Sequence, residues 1–169
     1  MAIPPQLLRA MNDQVTNEFQ AAYVYMQLAY EMDRLALVGM RDWFKIQAAE
    51  ERIHAEKFAT HILDRDEKIE LHNVEIGRLE INSALEAFEA ALEHERKVSA
   101  EIREIARISD EEKDYDSRTL VNWFLNEQIE EESTVGEIID RLKIIGEDGA
   151  GVLRLDAELG SRTGQGQAG

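Results

Sequence analysis

Residues 123–134 read WFLNEQIEEEST. The stretch opens with Trp123, Phe124 and Leu125, as the core-facing part of a helix would, and then turns into a cluster of carboxylates. Gln128, Glu130 and Glu131 stand where the apolar run should continue. Such a break is either a solvated helix face or a polar site inside a helical bundle. The rest of the chain decides between the two.

Working outward, the helix carrying this stretch starts near Asp114 or Asp116. It runs through Val121, Phe124, Val135, Ile138, Leu142 and Ile145, and Gly146 stops it. Three more long helices share its character. The first follows Pro4 and Pro5, residues suited to a helix entry. Its stripe is Leu8, Met11, Val15, Ala22, Tyr25, Ala29 and Met32, with a gap at position 18. The second spans about Gly39 to Arg65, with Met40, Phe44, Phe58 and Ile62 inward. The third opens at the capping box Ser83-Ala84-Leu85-Glu86 and carries Leu85, Phe88, Leu92 and Ile102. A short fifth helix covers about Ala150 to Leu159. The tail after it, GSRTGQGQAG, is polar and glycine-rich, so residues 160–169 are expected to be disordered and residues 1–159 to form one domain.

Short links join helices one and two, and three and four, so each pair should run antiparallel. The link over residues 67–82 is different. Fully extended it reaches about 55 Å, enough to cross the bundle from end to end. The fold expected is all-α: a four-helix bundle with one long crossover connection and a short fifth C-terminal helix.

The breaks in the stripes fall near the helix midpoints: Glu18 in the first, Glu51 and His54 in the second, Glu95 in the third, Gln128 and Glu131 in the fourth. Antiparallel rods of equal length share the level of their midpoints, so these six side chains should meet in the core. A buried unpaired carboxylate costs several kcal/mol even after relaxation. Four glutamates carry a charge of −4, which two divalent cations cancel. An oxygen-rich donor set with one imidazole suits iron or manganese better than copper or structural zinc. This is the known layout of di-iron carboxylate bundles, with Gln128-x-x-Glu131 in place of the second Glu-x-x-His. Glu50, Glu127 and Glu130 flank the six and read equally well as a third, more exposed cation site or as the polar side of two helices. Tyr25 lies two turns from Glu18, and spacing alone favours a core tyrosine with a satisfied hydroxyl. Trp123 reads as packing, and His61, His72 and His94 as surface or interface.

Composition narrows the function classes. The net charge is −16, which repels nucleic acid and anionic lipid and attracts cations. The absence of cysteine removes disulfides, thiolate zinc sites and cysteine-ligated iron–sulfur clusters. No apolar run approaches the ~20 residues of a membrane span, and the N-terminus lacks the charged and apolar regions of a signal peptide. A soluble, cytoplasmic protein is expected.

The segments NEFQAAYVY, AAEERIHAEKF, LEHERKV and WFLNEQIEEE, in this order and at these separations, resemble the iron-binding segments of prokaryotic non-haem ferritins. The likeness spans about residues 5 to 159. It implies a ferritin-like bundle assembled as a hollow 24-subunit shell. It also implies ferroxidase activity: Fe(II) is oxidised by oxygen or hydrogen peroxide and stored as a ferric mineral. By this resemblance Glu18, Glu51 and His54 match the ligands of one iron. Glu51, Glu95 and Glu131 match those of a second, with Glu51 bridging. Gln128 matches a glutamine that helps hold oxygen or water. Glu50, Glu127 and Glu130 match a third iron site, and Tyr25 the tyrosine beside the di-iron centre. Bacterioferritins are similar too, but carry a haem-ligating methionine just after the bridging glutamate. Here that position is Arg52, so no haem is expected. They also carry Glu-x-x-His on the fourth helix, and losing it suggests a site that passes iron on. DNA-coating mini-ferritins build their sites between subunits and often carry basic tails, whereas this tail has one arginine, Arg162. Two rivals remain from sequence. One is a di-iron or di-manganese redox enzyme without storage. The other is a metal-free acidic bundle that binds a basic partner.

Overall fold

Pro5 begins the first helix with its fixed φ and without an N–H that would go unpaired, and α1 continues from Pro5 to Arg34. The structure, a computed structural model, describes residues 2–163. Four further helices follow: α2 (Val38–Asp64), α3 (Ala84–Glu111), α4 (Arg118–Ile145) and α5 (Gly149–Gly160). Each boundary has a local cause. The turn between α1 and α2 places Ala36 at φ 59°. Ser83 caps α3 by accepting from the Glu86 N–H at 3.2 Å. The Glu86 carboxylate reaches back to Asn82 N, at 2.7 Å, one residue earlier than in the standard capping box. A single 3-10 turn, Tyr115–Ser117, precedes α4, so that helix starts slightly later than Asp114 or Asp116. Asp114 instead receives a two-pronged pair of hydrogen bonds from Arg65, at 2.7 and 3.0 Å. Gly146 ends α4 at φ 61°, a conformation glycine adopts without a Cβ penalty.

The four long helices form an antiparallel bundle of rods about 40–45 Å in length. Residues 65–83, between α2 and α3, contain no helix or strand and cross the bundle along α1. Asn12 takes part in two hydrogen bonds there, donating to Lys68 O and accepting from Glu70 N. Thr16 Oγ1 accepts from His72 N, Gln20 donates to Glu75 O, and Arg34 donates to Ile81 O. The connection therefore follows α1 from its first turns to its last, as its length required. Ile69, Ile76 and Leu79 pack inward, while Leu71 faces solvent.

α5 packs against the start of α2. The Asp156 carboxylate accepts from the N–H groups of Gly39, at 3.1 Å, and Met40, at 2.8 Å, filling two of the unpaired donors at the α2 N-terminus. The approach is so close that a Cβ on Gly39 would lie 1.9 Å from Asp156 O, and one on Gly160 would lie 2.8 Å from Gly39 Cα. Of the tail, Gly160 closes α5 and Ser161 caps it. Residues 164–169 lie outside the described residues, and so does the expected disorder there.

The core is divided in two. One apolar cluster holds Leu7, Met11, Val15, Phe58, Ile62, Ile102 and Phe124. The other holds Leu28, Met32, Phe44, Phe88, Val135, Ile138 and Leu155. On every long helix the two clusters are separated by a gap at mid-length. The expected inward positions Leu8, Leu85 and Leu92 are only half-buried. Leu7, Ala84, Ala87 and Ala91 take the inward face instead; on α3 the small alanines let neighbouring helices approach closely. No described helix is long and apolar enough to cross a membrane.

Candidate metal centre

The gap between the apolar clusters is filled by the six side chains that interrupt the stripes. Glu18 and Glu95 are at most 1% exposed, Glu51 2%, His54 4%, Gln128 5% and Glu131 7%. The bundle brings His and Glu ligand atoms together in three groups: Glu18–Glu51–His54, Glu51–Glu95–Glu131 and His54–Glu127–Glu131. Within each group the ligand atoms lie within 4.8 Å of one another. Every pair of groups shares one residue: Glu51, His54 or Glu131. His54 faces two ways. Its Nδ1 is 3.0 Å from Glu51 and 3.9 Å from Glu18, and its Nε2 is 3.8 Å from Glu127. The rings of Trp123 and Phe124 stand edge-on to the imidazole at 5.5 and 5.6 Å and fix its plane. This gives Trp123 the packing role expected of it.

Neutral donors hold the carboxylates in place. Gln14 donates to Glu18 at 2.9 Å. Gln128 donates to Glu95 at 3.0 Å and to Ser99 Oγ at 3.2 Å. Gln47 donates to Glu131 at 2.5 Å. Tyr25 is fully buried and donates its hydroxyl proton to Glu95. Sequence reasoning missed Gln14, Gln47 and Ser99. The available signal was position: Gln14 and Gln47 each lie one turn before a core glutamate, at i−4.

The electrostatics show what the centre lacks. Burial, and then the neighbouring Glu51, push the Glu18 carboxyl well above its usual value. Burial, with Glu95 and Glu131, does the same for Glu51. Burial raises Glu95, against the opposing hydrogen bonds of Tyr25 and Gln128. Burial, with Glu95, raises Glu131 to about 8. Burial and the Glu95 charge also push the Tyr25 phenol up. One oxygen of Glu18 is enclosed without a hydrogen-bond partner. Four buried acidic groups thus converge with His54 as their only basic neighbour within the three groups. Divalent cations supply the charge and the lone-pair partners that this set is missing, and hard oxygen donors with one imidazole fit iron.

Glu50, Glu127 and Glu130 are arranged differently from one another. Glu127 is half-buried, and the charges of Glu130 and Glu50 help raise its carboxyl, after burial. Glu127 joins the group with His54 and Glu131. Glu50 is paired with Arg162 at 2.9 Å, and Glu130 is exposed. Neither belongs to the three groups found among the described residues. Arg52 is exposed. His72 pairs with Asp13 on the surface at 2.6 Å. His61 is less superficial than expected, hydrogen-bonded to Ser117 at 2.8 Å in the Arg65–Asp114 network. His94 is half-buried, its Nε2 without a partner and its pKa lowered to about 4, chiefly by burial.

The model of the ferritin-like domain matches residues 8–145. The chain belongs to the ferritin family. It is 37% identical to bacterial non-heme ferritins of Staphylococcus aureus and Staphylococcus haemolyticus, over 93% of this chain and 95% of theirs. Its fold superposes on an open-pore ferritin of the archaeon Archaeoglobus fulgidus with a TM-score of 0.93, at 34% identity, covering 96% of this chain and 100% of that one. Within this ferritin chain, the clustered glutamates and histidine form a metal-binding oxidoreductase site of the ferroxidase type.

Proposed function

We propose that this ferritin oxidises Fe(II) at the bundle centre and stores the product as a ferric mineral inside a 24-subunit cytoplasmic shell. The observation that carries the reading is the trio of interlocked groups around Glu51, His54 and Glu131, lying between two apolar clusters. In this reading one Fe(II) binds Glu18, Glu51 and His54, and a second binds Glu51, Glu95 and Glu131. Glu51 bridges them, and Gln128 steers the oxidant beside Glu95. Each Fe(II) gives up one electron. Oxygen takes both with two protons and leaves as hydrogen peroxide, or hydrogen peroxide takes both with two protons and leaves as two waters. Carboxylates favour the higher charge of Fe(III), and held geometry supplies proximity. Glu127, with Glu50 and Glu130 near it, offers a way off the pair. The net charge of −16 per chain draws Fe(II) toward any shell built from it, with neither nucleic acid nor membrane as a partner.

The test is to load the metal-free protein with excess Fe(II) in air, separate it by gel filtration, and count iron per chain. Iron far above the two or three ions the groups can hold, in a peak near half a megadalton for chains of 19.3 kDa, is expected. A ratio fixed near two in a small oligomer would make the protein a di-iron enzyme without storage. No retained iron would leave an acidic helical bundle.

A further inference from the structure

Just past the end of α5, Arg162 turns back onto the metal centre. Its guanidinium lies 4.7 Å from the Trp43 ring centre. Nη1 donates to Gln47 Oε1 at 3.0 Å, and Nη2 donates to Glu50 Oε2 at 2.9 Å. The pair is largely enclosed, with side chains 22% and 16% exposed. The other oxygen of Glu50 is enclosed and has no hydrogen-bond partner. Gln47 passes the contact inward, donating to Glu131 at 2.5 Å.

Two physical consequences follow. A guanidinium donates and never accepts, and it stays charged at any ordinary pH. Facing Arg162, the Gln47 amide must present its oxygen outward and its NH2 group to Glu131. Without Arg162 the flipped amide becomes available, and it would turn an oxygen toward the Glu131 carboxyl. In addition, a fixed positive charge sits on Glu50, whose charge acts on Glu127 of the outer group and whose second oxygen has no partner. A metal ion arriving there meets a neutralised ligand and a like charge.

We infer that Arg162 is a tethered cation that competes with a third divalent ion for Glu50 and holds Gln47 in the orientation that positions Glu131. The inference rests on the metal-centre reading above. It makes Arg162 a positioning residue with a second role as an electrostatic gate. The two inner ions bind ahead of it. The third binds only as the guanidinium gives way.

The test is calorimetric titration of the metal-free, assembled protein with Zn(II), which takes no part in redox chemistry. Wild type, R162Q, R162K and a chain ending at Ser161 are compared. Wild type is expected to show two tight ions per chain and a weaker third. R162Q and the shortened chain should tighten the third step roughly tenfold, as loss of one close charge in a partly solvated site allows. R162K should stay near wild type in that step because it keeps the charge. A third step within about twofold of wild type in both R162Q and the shortened chain, with the first two intact, would overturn this inference alone. Failure of wild type to bind two ions tightly would overturn the metal-centre reading and this inference with it.

Discussion

Each of the buried glutamates is held by a side chain that can release it. Glu18 has Gln14, Glu95 has Tyr25 and Gln128, Glu131 has Gln47, and Glu51 lies against His54. Amides and a phenol orient a carboxylate without neutralising it, which leaves its charge for a metal. Glu51, His54 and Glu131 each belong to two of the three groups, and Glu51 and His54 together reach all three. Replacing both by alanine should abolish fast Fe(II) oxidation while gel filtration shows unchanged assembly. Oxidation at the wild-type rate would refute the assignment. Tyr25→Phe removes one buried hydrogen bond to an acidic partner. It should destabilise the metal-free protein by about 1–2 kcal/mol, read from urea unfolding. At this scale the six central residues were legible from sequence because each interrupts a periodic stripe at helix mid-length. Gln14 and Gln47 were not, since a glutamine one turn from a glutamate is ordinary on a solvated face. Arg162 could not be read at all, because its partners lie 112 and 115 residues away.

Elements carry these residues to one level. α1, α2, α3 and α4 have 30, 27, 28 and 28 residues, so their midpoints coincide when the rods pack antiparallel. That equality of length is why a one-dimensional pattern predicted a three-dimensional cluster. The long connection was equally readable, since its reach fits the bundle length and little else. Side-chain packing was less so: Leu85 and Leu92 lie at the seam and alanines fill the face, a choice set by interhelix distance rather than periodicity. The placement of α5 rests on Asp156, whose carboxylate caps α2 at Gly39 and Met40. Asp156→Ala should cost about 1–2 kcal/mol as the loss of a helix cap. It should also speed hydrogen exchange in α5 more than in α1 or α3. Equal protection in all three would show that the cap does not hold α5. Since Arg162 follows α5 directly, the same variant should loosen its grip on Glu50.

For the whole molecule, the centre exchanges conformational stability for metal affinity. Carboxyls raised by burial keep protons that the unfolded chain would release. Between the ordinary value of 4.5 and the value of about 8 reached by Glu131, the folded protein binds more protons than the unfolded one. The stability of the metal-free protein should therefore fall as pH rises across that window. Its contribution from protonated Glu131 is whole below pH 4.5 and lost above about 8. Bound divalent ions displace those protons and stabilise the fold by mass action. Thermal unfolding from pH 5.5 to 8 should thus show a falling Tm without metal and a flat or rising one with saturating Zn(II). A Tm that rises with pH in both cases would mean the carboxylates are already ionised and paired. The net charge of −16 adds a general repulsion that also grows with pH, so the difference between the two curves is the quantity that reports the centre.

The most direct measurement is anomalous diffraction at the iron edge from crystals soaked anaerobically in Fe(II). The account predicts two strong peaks within one chain. One should be ligated by Glu18, Glu51 and His54 and the other by Glu51, Glu95 and Glu131. A weaker third peak is expected near Glu127. Iron found only on surface carboxylates, with the bundle centre empty, would contradict it.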